Sequence, residues 1–242
     1  MELNALKRSR INLIHLDGLP ILDQLRIEEA LLRVDSENWC LLNRGIQNPA
    51  IVMGISGKEE LHINNHIYKQ KPISLIRRFT GGGTVVVDHN TYFVTWIFNS
   101  IEIQVPCFPN KVFDWSGSFY QKVFNDITFA IRENDYVINQ HKCGGNAQYM
   151  RKERWLHHTS FLWDYDEANM DYLTIPPKIP KYREKRSHVD FLCRLKDYFE
   201  CRDAFEEKIL KNLSNNFCVK ERSLENIGQI LQQPHRQATI LY

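Results

Sequence analysis

The chain lacks most of the features that place a protein by bulk character. None of its apolar runs approaches the ~18–20 residues of a membrane span, and the opening MELNALKRSRINLIHLDG has no uninterrupted apolar stretch of the secretory type. There is no excess of one charge: 31 basic against 29 acidic side chains leave a formal +2, too balanced to leave a bulk footprint for nucleic acid. The six cysteines (Cys40, Cys107, Cys143, Cys193, Cys201 and Cys218) are scattered, with no C-x-x-C pair and no spacing of a zinc site or disulfide framework. Repeats and low-complexity tracts are missing too. Together these absences predict a soluble protein of a reducing compartment, the cytoplasm or an organelle matrix, with neither nucleic acid nor membrane among its partners. Glycine is also scarce, yet three of the 11 are consecutive, at Gly81, Gly82 and Gly83.

What is present is a globular composition, 43% hydrophobic and 12% aromatic, long enough for one large domain or two small ones. Strand-like segments at 11–16, 39–43, 50–54, 73–77, 84–87 and 92–98 surround a helical pattern over 21–34, so the glycine run falls in a strand-to-strand connection. A second amphipathic helix is predicted from a Ser116 cap to about Arg132, because Phe119, Val123 and Ile127 recur at helical spacing. Strands at 136–139, 142–150 and 155–163 follow. A connector holding Pro176, Pro177 and Pro180 precedes a helix capped by Ser187 and running to about Glu200, and the remainder reads as mostly helical. Mixed helices with mainly hairpin-type strands give an α+β class rather than a doubly wound sheet.

Three constellations carry chemistry. Arg77-Arg78-Phe79-Thr80-Gly81-Gly82-Gly83-Thr84 joins forked cationic donors to a backbone that a ligand can approach closely, an arrangement suited to a nucleotide or acyl-phosphate. Three glycines cost ~0.5–1 kcal/mol each to order relative to Ala, which a passive turn seldom requires. It is not a dinucleotide loop, lacking G-x-G-x-x-G and a following helix, and Gly54-Ile55-Ser56-Gly57-Lys58-Glu59 is too short for a P-loop and has Glu59 where magnesium needs a hydroxyl. The second constellation, Lys142-Cys143-Gly144-Gly145-Asn146-Ala147-Gln148, places a lysine beside small residues at the mouth of a strand. In the third, His157-His158, alternation sends the rings to opposite faces, so they do not share a metal. His62 and His66 lack the intervening Glu of a zinc helix, and no firm metal site emerges. Lys178, Lys181, Arg183, Lys185, Arg186 and His188 form a local basic run suited to an acidic partner.

Taken in order with Glu28-Glu29-Ala30-Leu31, Val85-Val86-Val87-Asp88, Asn134-Asp135 and His157-His158-Thr159-Ser160-Phe161-Leu162, these segments resemble the biotin/lipoate protein ligase family, lipoate branch, over about residues 11–175. The resemblance implies a class II aminoacyl-tRNA synthetase/biotin synthetase-like catalytic domain, with a mixed, mainly antiparallel sheet flanked by helices. It implies ATP-dependent ligation of lipoate to a lysine through lipoyl-AMP, with ATP and magnesium as cofactors. The implied acceptors are lipoyl domains of 2-oxoacid dehydrogenases or the glycine cleavage H protein. Arg78, Gly83, Thr84, Val85, Val86, Asn134 and Asp135 would hold the adenylate, Asp135 also being a magnesium contact. Arg77, Thr80, Gly81, Gly82, Gly144 and His158 would hold lipoate, and Lys142 would serve both ligands as the catalytic cation. Val87 stands where the family has histidine, and Thr80 where it has serine. Residues 1–182 are expected to form the catalytic domain and 183–242 a short helical C-terminal extension packed on it, without a full accessory domain. A cysteine-thioester octanoyl or lipoyl transferase and a noncatalytic lipoate or lipoyl-domain binder are the alternatives.

Overall fold

The computed structural model describes residues 8–176 and 179–242; Pro177 of the expected connector and Lys178 of the basic run lie outside the described residues. First come β1 (Arg10–His15), α1 (Ile21–Val34), β2 (Trp39–Asn43) and β3 (Ala50–Met53), then the short helices α2 (Glu59–His62) and α3 (Asn65–Gln70). Next are β4 (Ser74–Arg77), β5 (Val85–Val87), β6 (Thr91–Asn99) and α4 (Pro109–Val123), followed by a meander of β7 (Phe129–Arg132), β8 (Asp135–Ile138), β9 (His141–Arg151) and β10 (Arg154–Leu162). The last part holds α5 (Glu167–Met170), α6 (His188–Phe191), α7 (Arg202–Asn216), β11 (Cys218–Arg222), α8 (Gly228–Leu231) and β12 (Ile240–Leu241). No helix of the described residues is long and apolar enough to cross a membrane.

The strands form an eight-stranded sheet, β11-β1-β2-β6-β10-β9-β8-β7, and a four-stranded sheet, β12-β4-β3-β5. In the larger sheet β1 runs parallel to β11 and β2, and the other pairs are antiparallel. This is the expected mixed, mainly antiparallel α+β architecture. Alternation explains how the sheet is covered on both faces. Cys40, Leu42, Trp96, Phe98, Trp155 and Phe161 join an aromatic core closed by α4 and α7, whereas Trp39, Leu41, Ile97 and Leu156 face the other way, onto Ile27 and Leu31 of α1. Ile21 and Leu25, at the start of α1, continue onto the small sheet through Val52, Ile76 and Val87. One helix therefore fixes the angle between the two sheets.

Several sequence expectations need correction. β2 and β3, successive in the chain, belong to different sheets. The helix expected from Ser116 to Arg132 instead begins with Pro109 in its first turn and ends at Val123, and Phe129–Arg132 is strand β7. Ser116 caps nothing: its hydroxyl donates to Phe113 O at 2.9 Å and meets the Tyr136 hydroxyl. Ser187 does cap a helix, accepting from Asp190 N, but that helix stops at Phe191. Nor is the stretch 183–242 simply a helical extension. Phe205, Ile209 and Leu213 of α7 lie in the main aromatic core, β11 extends the large sheet and β12 edges the small one. Glu29 fastens the chain end by accepting from Ala238 N and Thr239 N at 3.0 Å.

Candidate functional site

A cavity of about 630 Å³ lies where the outward face of β9 and β10 meets the glycine loop, β5 and the connector beyond β10. It gathers Arg78, Gly82, Gly83, Thr84, Val85 and Val86 from the loop and β5, and Asn134, Asp135, Lys142 and His158 from the meander. A shallower cleft of about 360 Å³ beside Trp115 and Phe217 shares none of these motifs.

The loop owes its shape to Arg78. This residue is buried, and its Nε donates to Thr80 Oγ1 at 2.8 Å, its Nη2 to Gly81 O and Gly83 O at 2.8 Å each, and its Nη1 to Val52 O at 3.2 Å. Burial pulls the guanidinium down to about 10, opposed by the charge of Glu28, so it remains a cation at neutral pH. Gly82 sits at φ +97°, and a Cβ there would stand 2.8 Å from Arg78 Nη2, so both backbone conformation and space call for glycine. The expected direct cradle is thus modified: most donors of Arg78 are spent on its own chain, and the residue braces the loop. Thr84 Oγ1 is buried without a partner among the described residues and is free to meet a ligand.

Lys142 enters from β9. Its Nζ pairs with Asp135 Oδ1 at 2.6 Å, and Tyr182 donates its hydroxyl to Asp135 Oδ2 at 2.9 Å. The lysine backbone is clamped as well, Cys193 N donating to Lys142 O at 3.0 Å. Asn134 is held from the same strand, its carbonyl accepting from Asn146 Nδ2 at 2.6 Å. The ammonium is accordingly a positioned cation rather than a mobile surface charge.

His157 and His158 do point to opposite faces. His157 is in the core between Tyr136 and Gln148, where burial, with His158 beside it, pushes the ring down to about 3. His158 faces the cavity, its Nδ1 held at 3.0 Å from Glu28 Oε1 and 3.2 Å from Thr95 Oγ1. Gln24 and Thr95 also donate to Glu28, which is fully buried. The segment Glu28-Glu29 therefore supplies one carboxylate that orients a cavity histidine and one that anchors the chain end. The wall also has an apolar part, with Ile21, Val52, Val87, Phe93, Leu162 and Met170, enough to enclose a short aliphatic chain. Val87 makes apolar the position at which the resemblance implies a histidine.

Four residues expected to touch lipoate are not in the cavity wall. Arg77 lies under the chain end, its guanidinium 4.8 Å from the Tyr242 ring centre. Thr80 and Gly81 face Arg78 as acceptors. Gly144 faces the core, where a Cβ would come 2.9 Å from the Phe161 ring, and it is Gly145 that borders the cavity. The cause is a bulge: Val137 pairs with Lys142 and Tyr136 with Gly144, leaving Cys143 as the extra residue and reversing the alternation between Lys142 and Gly144. The basic run is divided too. Lys181 and Lys185 are exposed, Arg183 and His188 line the cavity, and Arg186 spends its guanidinium on Gln140 O, Tyr182 O and Arg183 O.

Among the described residues no cysteine lines the cavity. Cys143, adjacent to Lys142 in sequence, is fully buried, which pushes its thiol well up, and burial lifts Cys193 to about 12. Neither forms a thiolate readily, so the thioester route lacks a nucleophile at this site. Among the described residues no group of three His, Cys, Asp or Glu is gathered to hold a metal ion.

The glycine loop, the clamped lysine and the apolar lining thus share one cavity, and the family model of the lipoyl protein ligase A/B catalytic domain matches residues 20–217. The chain belongs to that family. Among curated relatives of this ligase-family chain, the inactive lipoate–protein ligase 2 of Plasmodium falciparum is 28% identical, over 88% of the chain and 72% of the relative. A Bacillus subtilis lipoate-protein ligase is 22% identical over 88% and 67%. Among solved structures, a lipoate-protein ligase A bound with ATP superposes with a TM-score of 0.76 at 17% identity, covering 93% of each chain. The Thermoplasma acidophilum bipartite lipoate protein ligase, described with its E2 lipoyl domain, gives 0.74 at 19% identity, covering 93% of this chain and 91% of that one. The ligase fold is thus retained at low identity.

Proposed function

We propose that this chain activates lipoate, or a closely similar acyl acid, with ATP and passes it to a lysine of a lipoyl domain. The observation that carries the reading is the Lys142–Asp135 pair at 2.6 Å, set between the glycine loop and the apolar wall. In the first step a carboxylate oxygen attacks the α-phosphorus and the bond to pyrophosphate breaks. Both reactants are anionic, so a fixed ammonium between them lowers their repulsion and holds them in line. A single preorganised donor of this kind is worth about 3–4 kcal/mol in the transition state. In the second step the acceptor amine attacks the acyl carbon, loses a proton, and AMP departs.

The acyl chain would lie along Ile21, Phe93, Leu162 and Met170, where each buried methylene contributes ~0.8 kcal/mol. Thr84 Oγ1 and the backbone from Gly83 to Val86 would meet the adenylate, with Asn134 beside it. Magnesium takes oxygen ligands and keeps several waters. Of the cavity carboxylates, Asp135 is engaged by Lys142 and Tyr182, and Glu133 by Lys181 N at 2.6 Å, so the ion would ride chiefly on the phosphates with Asp135 at its edge, where it screens their charge.

The test is the intact mass of a lipoyl domain incubated with this chain, lipoate and Mg-ATP. A gain of one lipoyl group that requires ATP supports the reading. Equal transfer from an acyl-carrier donor without ATP would replace it with a transferase, and acceptor binding without pyrophosphate release would replace it with a noncatalytic binder.

A further inference from the structure

Two polar side chains of the cavity wall, Arg183 and His188, have no role in the chemistry described so far. Arg183 is only 4% exposed, yet its Nη2 has no hydrogen-bond partner among the described residues. Its Nε donates to Arg186 O at 3.2 Å and its guanidinium sits 4.9 Å over the Phe191 ring, so the side chain is held in place with one donor edge unspent. His188, five residues on, likewise leaves Nε2 buried and unpartnered, and both residues line the cavity. Leaving a buried charged donor unmade costs more than leaving a neutral one. Arg183 is such a charged donor, whereas burial and the charges of Arg183 and Lys142 hold the His188 ring below its ordinary value, so it takes up a proton only together with an anion. These two groups from one connector, lining the same cavity as the Lys142 ammonium, describe an anion seat.

The neighbouring carboxylates do not fill it. Asp135 is taken by Lys142 and Tyr182, and Glu133 accepts from the backbone of Lys181 and Tyr182. A protein surface cannot reach a guanidinium this buried, so the occupant is small. A lone carboxylate would be satisfied by one forked donor, whereas Arg183 and His188, with Lys142 near them, offer separate groups to an anion carrying several oxygens.

We infer that Arg183 and His188 seat the outer phosphates of a nucleoside triphosphate, and the pyrophosphate that remains after its α-phosphate has been captured. The assignment rests on the adenylation reading above and extends it to the connector. The connector that clamps the Lys142 backbone thereby also grips the leaving group, coupling the position of the attacking end to that of the departing one.

Calorimetric titration of the full chain with inorganic pyrophosphate and, separately, with AMP tests this. Arg183→Gln should weaken pyrophosphate binding by about tenfold or more and His188→Asn by several-fold, while AMP affinity stays within about twofold in both, as expected for loss of a charge-assisted contact. Retained AMP binding also reports that each variant is folded. AMP binding together with pyrophosphate affinity unmoved by either variant would overturn the seat alone, as would an equal loss for both ligands. A wild-type chain that binds neither would overturn the seat and the functional reading together.

Discussion

Replacing Arg78 with lysine tests whether the glycine loop is braced from within. The substitution keeps the charge and most of the stem but exchanges a planar five-donor fork for three donors on a single nitrogen. In the structure three guanidinium nitrogens reach Thr80 Oγ1, Gly81 O, Gly83 O and Val52 O at 2.8–3.2 Å. One ammonium cannot serve Val52 and Gly83 from opposite sides, so at least two charge-assisted bonds are lost, each worth about 1.5–3 kcal/mol. After partial recovery through new geometry the net loss is about 2–4 kcal/mol, a fall in Tm of roughly 5–15 °C for a chain of this size. Thermal unfolding without ligand, followed by circular dichroism at low and high salt, measures it. The shift should persist at high salt because the contacts are buried. A variant that melts within about 2 °C of wild type but binds ATP weakly would refute the brace and return Arg78 to the role of phosphate ligand.

Three further outcomes follow from the same geometry. The His157 ring, held near 3 by burial against an ordinary value of 6.5, takes up a proton more readily unfolded than folded, so the protein should lose stability as pH falls below about 6.5; His157→Gln should flatten that dependence, and a ring seen by NMR to titrate near its ordinary value would contradict it. Gly144→Ala pushes a methyl to 2.9 Å from the Phe161 ring and should cost about 1–3 kcal/mol in chemical denaturation, whereas Gly145→Ala, whose nearest neighbours stand at 3.5–3.7 Å, should leave stability intact; equal effects would remove the bulge argument. Reversing the exposed charges at Lys181 and Lys185 should slow transfer to the acceptor more than adenylate formation in single-turnover kinetics, and equal slowing would remove this surface from acceptor docking.

Much of this was legible before the fold was known, but unevenly. The strands and α1 announce themselves by alternation and helical spacing, and the glycine loop and Lys142 do meet in one cavity, because short motifs carry local conformation that tertiary packing does not override. Partner choice is different: β2 and β3 both read as strands, yet nothing in their sequences says that they join separate sheets. The helical spacing of Phe119, Val123 and Ile127 continues past the true end of α4 because Phe129 packs into the same core from a strand. Pro109, in the first turn of α4, was the available signal for its start. At the site, the resemblance implied that Gly144 joins Lys142 against lipoate, and a single bulged residue, Cys143, turns Gly144 to the core instead. Arg183 and His188 were visible only as members of a basic run, since their burial depends on how the connector folds back over β9.

Identification of the bound product tests the central claim most directly. The purified chain, incubated with lipoate and Mg-ATP and no acceptor, is predicted to release pyrophosphate and retain lipoyl-AMP identifiable by mass, with Lys142→Ala forming none while remaining folded. Absence of lipoyl-AMP from the wild-type chain, or its undiminished formation by Lys142→Ala, would contradict the account.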